Sequence, residues 1–247
     1  MQLSDLTVIV PTKNESTNIK AFLASLHKEV RLIVVDASSD TTPELVQNHR
    51  PRNTRIIRNA GNIPVARQIG ADHAESAWLL FTDADMIFGK EYFANWEDLI
   101  VPNDVGVVQG PKLSANNEYS TYYKLFSLGI RFLASINIPA GSGSNMIIRK
   151  AALIEAGGFD LALSANEDTK VLWDIRRAGW RVTYSHYLPV FEADHRRLER
   201  GILRKIAHSW TRSLMLMTGV GADTVRQSDW GYWNSRDEKE ESSRNST

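Results

Sequence analysis

Four short runs of β-branched and large apolar residues, each separated from the next by a helix-like stretch, constrain the fold of this chain more than any other feature. They are residues 6–10 (Leu-Thr-Val-Ile-Val), 31–35, 55–57 and 78–81 (Trp-Leu-Leu-Phe). Near-continuous apolar runs of this length read as strands buried on both faces. Between the first two, Asn14 to Asn18 offer N-cap residues ahead of Ile19, Phe22, Leu23 and Leu26 at helical spacing. Thr42-Pro43-Glu44 opens a second helix with Pro43 at its first position, and residues 64–77 read as a third. This alternation predicts an α/β domain with a mostly parallel central sheet flanked by helices. Ligands of such sheets gather at the carboxyl ends of the strands. Three polar segments fall there: Pro11 to Glu15, Asp36 and Asp83.

The second half is less regular. Residues 105–109, 145–148 and 181–184 read as strands, and 119–134, 151–156 and 168–178 as helices. Small polar residues, Gly141-Ser142-Gly143-Ser144-Asn145, form a loop that either passes near a ligand or makes a tight turn. Tyr122, Tyr123, Phe126, Phe132, Trp173 and Trp180 read as core. No linker or repeat interrupts the chain, so a single domain over 1–234 is expected, with a polar, disordered tail at 235–247.

Lys plus Arg and Asp plus Glu number 29 each, and this neutral balance argues against a nucleic-acid partner. The absence of cysteine excludes disulfides, thiolate metal sites and a cysteine nucleophile. The opening residues show no secretory signal. Residues 125–138 are the best membrane candidate, but they contain Arg131 and Asn137 and are too short to span a bilayer.

Asp83-Ala84-Asp85 follows the fourth strand. Two carboxylates one residue apart at a strand end are hard oxygen ligands suited to Mg²⁺ or Mn²⁺, and such an ion usually binds phosphate as well. In order along the chain come Val8-Ile9-Val10-Pro11-Thr12-Lys13-Asn14-Glu15, Val34-Val35-Asp36-Ala37-Ser38-Ser39-Asp40-Thr41-Thr42, Ala66-Arg67-Gln68-Ile69-Gly70-Ala71, Phe81-Thr82-Asp83-Ala84-Asp85, Gly157-Gly158-Phe159-Asp160 and Glu167-Asp168. As an ordered set these resemble a family 2 glycosyltransferase of the GT-A fold, a Rossmann-like single domain, over about residues 5–200.

The resemblance implies a sugar-nucleotide half at about 5–110 and an acceptor half at about 111–210. Pro11, Thr12 and Glu15 would line the nucleoside pocket, and Asp36 would contact base or ribose. Ala37 stands where many members carry a second acid, so the base is left open. Asp40 reads instead as a cap for the following turn or helix. Arg67, which alone would read as a solvated helix residue, would stand beside the diphosphate. Asp85 would coordinate a divalent Mn or Mg ion, Asp83 would hold ribose or ion, and His195, otherwise an exposed loop histidine, would complete the metal site. Asp168 would be the general base, oriented by Glu167, although the pair taken alone reads as ordinary first-turn acids.

The expected function is therefore an inverting, metal-dependent transfer of a sugar from a nucleoside diphosphate sugar to an acceptor hydroxyl, on a glycan, a lipid-linked sugar or a small molecule. The alternatives are a retaining GT-A enzyme or a non-catalytic sugar-nucleotide-binding protein. A nucleotidyltransferase would carry a Gly-rich phosphate loop, and Pro11 to Glu15 contains no glycine. A cytoplasmic place is expected. Arg196, Arg197, Arg200, Arg204 and Lys205, interleaved with Leu198, Ile202, Leu203 and Ile206, read first as an amphipathic helix on the core and second as a peripheral membrane contact.

Overall fold

The computed structural model describes residues 1–163 and 166–195, together with Leu198, Thr211 and Met215. The expected basic run beyond His195 (Leu198 aside), Trp210, Trp230, Trp233 and the 235–247 tail lie outside the described residues. The four apolar runs form parallel strands β1 (Leu6–Thr12), β2 (Arg31–Asp36), β3 (Thr54–Arg58) and β4 (Trp78–Phe81). Between them come α1 (Ile19–Ser25), α2 (Thr42–His49) and α3 (Ile63–His73). After β4 follow β5 (Met86–Phe88), α4 (Tyr92–Glu97), β6 (Val105–Gln109), β7 (Lys112–Ser114) and α5 (Ser120–Ser135). The last described elements are β8 (Met146–Arg149), α6 (Lys150–Glu155), α7 (Glu167–Arg177), β9 (Arg181–Tyr184) and β10 (Val190–Glu192).

The main sheet has seven strands in the order β3-β2-β1-β4-β8-β6-β9, all parallel except β8. The chain steps outward from β1 to β3, then returns to the other side of β1 for β4. That reversal makes the β1/β4 boundary a topological switch point, where the carboxyl ends of neighbouring strands leave a crevice. Because β8 runs antiparallel to β4 with Phe81 opposite Met146, the residues just before β8 lie beside those just after β4. The loop 141–145 is thus brought to Asp83 by strand direction alone.

Alternation along β1 divides the core. Leu6, Val8 and Val10 face a layer with Phe22 and Trp96, whereas Ile9 faces a layer with Phe81, Phe159, Leu172 and Ile175. Pro11 does not end β1 as expected, since the strand continues to Thr12. Ile9 O accepts from Thr82 N on the β4 side, so by parity the N–H that Pro11 lacks would point the same way. The β1–β4 ladder covers only Leu6 to Ile9, and the proline costs no bond there. Helix α3 opens on Asn62, whose side chain accepts from Val65 N at 3.1 Å. It stops at His73, short of the expected 77, because Ala74 turns extended.

A second sheet, β5-β10-β7, was not anticipated. Its three-residue strands are too short to show a period, and the Lys, Ser and Glu within them read as loop. Helix α5 packs over β7, with Ser127 Oγ donating to Lys112 O at 2.9 Å.

Helix α3 crosses β1 at Gly70, where any Cβ would collide with the Ile9 side chain. Gly70→Ala should therefore destabilise the protein by about 1–3 kcal/mol through overpacking, read as a lower urea midpoint at unchanged m-value.

Candidate active site

At the first edge of the crevice the register aligns Thr12, Asp36 and Arg58 across three adjacent strands. Asp36, fully buried, accepts from Thr12 Oγ1 at 2.6 Å and Ser38 Oγ at 2.7 Å, and pairs with Arg58. Asn14, at φ 56°, accepts from Ser39 N at 2.9 Å and donates its own N–H to Ser38 Oγ at 2.9 Å. Glu15 accepts from Asn18 Nδ2 at 3.0 Å. Asp40 accepts from Thr42 N at 3.0 Å and Ser16 N at 3.2 Å, the capping part expected of it. Burial opposes its charge, but the Thr42 and Ser16 bonds outweigh burial and hold the carboxyl below its usual range. The loops after β1 and β2 are thus stitched into one rim that carries Pro11, Thr12 and Glu15. Asp36 ties that rim to β3, its carboxylate accepting from Thr12, Ser38 and Arg58.

At the switch point the chemistry is denser. Arg67, just over one turn into α3, is buried. Its Nη1 donates to Glu167 Oε1 at 2.6 Å, and its Nη2 to Asp83 Oδ1 at 3.1 Å and Gly143 O at 3.2 Å. Burial would depress the guanidinium pKa, but Glu167, Asp83 and Asp168 outweigh it and keep Arg67 charged. Ser144 Oγ donates to the other Asp83 oxygen at 2.7 Å. Gly143 N donates to Asp168 Oδ2 at 2.8 Å. Helix α7 runs back from the carboxyl edge of the sheet toward the start of β9, which puts Glu167 and Asp168 at its N-terminus beside this cluster. Burial, with Asp168 and Asp83 nearby and Arg67 only partly compensating, pushes Glu167 up to about 6.

Behind Ser144 a second polar chain begins. Lys112 Nζ donates to Ser144 Oγ at 3.2 Å and pairs with Glu192 Oε1 at 2.9 Å. Tyr123 Oη donates to Glu192 Oε2 and lies 3.0 Å from His195 Nδ1. His195 Nε2 is 2.8 Å from Asn116 Oδ1. Burial and the adjacent Glu192 carboxylate raise the Tyr123 phenol well above its usual range.

Such a crevice, with paired acids at the end of a buried strand, can be compared with known proteins. The family model described as Glycosyl transferase family 2 matches residues 7–157. The chain belongs to that family. It is 25% identical over 216 residues to the pre-mycofactocin glycosyltransferase of Mycobacterium tuberculosis, covering 81% of this chain and 45% of the relative. It is 24% identical over 203 residues to the poly-beta-1,6-N-acetyl-D-glucosamine synthase of Staphylococcus aureus, covering 74% and 48%. The chain thus spans about half the length of the curated relatives it matches. Among solved structures it resembles the mannosyltransferase PcManGT from Pyrobaculum calidifontis in complex with GDP-Man and Mn²⁺, with a TM-score of 0.69 at 22% identity. That likeness covers 85% of this chain and 62% of the other. S. aureus TarS in complex with UDP-GlcNAc gives 0.61 at 23% identity, covering 78% and 59%. The fold is GT-A.

Within this family 2 site, Asp83, Arg67, Glu167 and Asp168 come together through Gly143, and the rim residues stand apart on β1 and β2. Arg67 is not a solvated helix residue: it is buried, with its guanidinium on Glu167, Asp83 and the Gly143 carbonyl. His195 is buried, and both ring nitrogens lie within hydrogen-bond distance of protein partners, Tyr123 at one and Asn116 and Ser114 at the other. A metal ligand keeps one imidazole nitrogen for the ion, so this geometry departs from the expected ligand role. Lys112, Ser144, Tyr123 and Glu192 were missed as site residues. The one signal for them was a lone charge at each end of a short apolar stretch, Lys112-Leu113 and Val190-Phe191-Glu192, which carries no periodicity.

Arg67→Leu would leave the buried Glu167 and the half-buried Asp83 without their shared cation and should cost about 3–5 kcal/mol in chemical denaturation. A carboxyl whose folded pKa lies above its unfolded value favours folding at low pH and loses that contribution as pH rises. For Glu167 the window runs from 4.5 to about 6. Melting temperatures of Glu167→Gln should therefore gain on wild type across that window.

Proposed function

We propose that this family 2 protein transfers a sugar from a nucleoside diphosphate sugar to an acceptor hydroxyl, with inversion at the anomeric carbon and Asp168 as general base. The observation that carries this reading is the bridge at Gly143. One residue holds the Asp168 carboxylate through its N–H and the Arg67 guanidinium through its C=O, so the acid of α7 is fixed relative to the acid that follows β4.

The charges present support a divalent cation. Among the described residues, Asp83, Glu167 and Asp168 act on Arg67 and Glu192 pairs with Lys112, so four carboxylates stand against two cations. A diphosphate entering that field is repelled unless a cation comes with it. No group of three His, Cys, Asp or Glu side chains converges among the described residues. Sites for Mg²⁺ commonly use only one or two carboxylates and take further ligands from substrate phosphates and water. Asp83 and Asp85 fit that pattern and would hold the ion, whereas His195 is engaged elsewhere. When bound, the ion would neutralise charge developing on the leaving diphosphate.

The chain's own residues do the rest. Ser144 and Arg67 fix the Asp83 carboxylate from two sides, which pre-sets it for its partner. Gly143 N–H orients Asp168 through Oδ2, at the N-terminus of α7. An ionised, oriented carboxylate at the crevice can accept the acceptor's hydroxyl proton as that oxygen attacks. Glu167 stays on Arg67, while the hydrogen bond that holds Asp168 comes from Gly143.

Asp168→Asn should lower turnover about 10²–10⁴-fold while nucleotide binding, measured by calorimetry, stays near wild type; near-normal turnover would sink the base assignment. Proton NMR of the first-formed product should show the anomer opposite to the donor's. Chelation of divalent ions should weaken binding of the donor diphosphate, and added Mn²⁺ should restore it.

A further inference from the structure

Helix α5 carries its polar contacts inward and its apolar residues outward. On the inner face Tyr123, Ser127 and Ile130 are buried, Tyr123 reaching Glu192 and Ser127 bonding the backbone of Lys112. On the outer face stand Leu125, Leu128 and Phe132, with Ile136 and Ile138 just past the helix end. Leu125, Leu128, Phe132 and Ile136 each leave more than half of their surface in solvent. Of nine large apolar residues exposed among the described residues, five fall within 125–138. That is a cluster, not the single scatter any surface carries.

At about 100° per residue, Leu125, Leu128 and Phe132 occupy an arc of about 60°. Lys124 and Arg131, both exposed, lie about 40–60° beyond one edge of it. No Asp or Glu occurs between Glu118 and Glu155. We propose that α5 docks the protein on an anionic lipid surface. It lies in the interfacial plane, with Leu125, Leu128 and Phe132 in the acyl boundary and Lys124 and Arg131 at the headgroup phosphates.

An apolar stripe flanked by basic residues is the pattern that binds such an interface. At 16 residues with Arg131 inside it, the helix is too short and too charged to cross the bilayer, so it lies along it. A second copy of the chain is a poorer match. Stable protein interfaces use about 20–30 residues and about 800 Å² per partner, and five side chains fall well short. Docking would bring Lys112, Glu192 and the crevice behind them within about one helix diameter, roughly 10 Å, of the headgroups. The inference goes beyond the transfer reaction and does not depend on it.

The test is co-sedimentation of the full chain with vesicles of phosphatidylcholine alone and of phosphatidylcholine and phosphatidylglycerol in equal parts. Wild type should sediment with the anionic vesicles, not with the neutral ones, and high salt should weaken the binding. Leu128→Ser/Phe132→Ser and Lys124→Glu/Arg131→Glu should each lower the partition coefficient about tenfold or more. Their melting temperatures and nucleoside diphosphate affinity should stay at wild-type values. Three results overturn the proposal: wild type left in the supernatant, either double variant sedimenting like wild type, or a solution dimer that Leu128→Ser/Phe132→Ser dissolves.

Discussion

The guanidinium of Arg67 is the interaction on which the crevice depends. A buried cation persists only if its charge is met, and here two carboxylates from distant parts of the chain and one carbonyl hold its two Nη groups. Asp83 leaves the end of β4 and Glu167 starts α7, so one side chain ties a strand of the sheet's centre to a helix of its far half. The bond is local in space but joins residues 100 apart in sequence. Without it, two neighbouring acids would lose their shared cation, and the loop 141–145 would lose one of the bonds that hold it beside Asp83 and Asp168.

Topology explains why those pieces meet. The reversal of strand order at β1 opens the crevice, and the antiparallel entry of β8 delivers Ser142 to Asn145 beside Asp83. Helix α7, which precedes a strand parallel to β6, has to begin at the same edge. Three elements with no sequence proximity therefore converge because of strand direction. Gly143 is needed at their meeting point, since a Cβ there would run into the Arg67 guanidinium. Close approach of the backbone to a charged side chain, rather than any unusual backbone angle, explains the glycine.

Much of this was legible in advance. The buried strands announce themselves by runs such as Val8-Ile9-Val10 and Leu79-Leu80-Phe81, because a strand covered on both faces has no polar side to show. The placement of Asp36 and Asp83 at strand ends follows from those runs and from the behaviour of parallel sheets. Hidden from view were the partners. Nothing near Arg67 in sequence shows that Glu167 will neutralise it, and nothing near Asp36 shows that β3 will supply Arg58 in register. The small sheet was hidden for a different reason. Strands β5, β7 and β10 draw their stability from pairing with one another and from α5, not from any pattern of their own, so Lys112 and Glu192 read as loop charges until the pairing is known.

The two polar chains share Ser144, and this has a mechanical consequence. Its hydroxyl donates to Asp83 and receives from Lys112, whose own charge is balanced by Glu192. Lys112 and Glu192 sit in β7 and β10, while Tyr123, which also holds Glu192, sits on α5. Helix α5 is therefore joined to Asp83 by four polar contacts, Tyr123–Glu192, Glu192–Lys112, Lys112–Ser144 and Ser144–Asp83, that run outside the main sheet's own ladder. On the β1 and β2 side, Asp36 makes its bonds within the rim, to Thr12, Ser38 and Arg58. The other side of the crevice is tied to a helix whose outer face is apolar. Whatever rests on α5 is thus linked by short polar contacts to the acids at the end of β4.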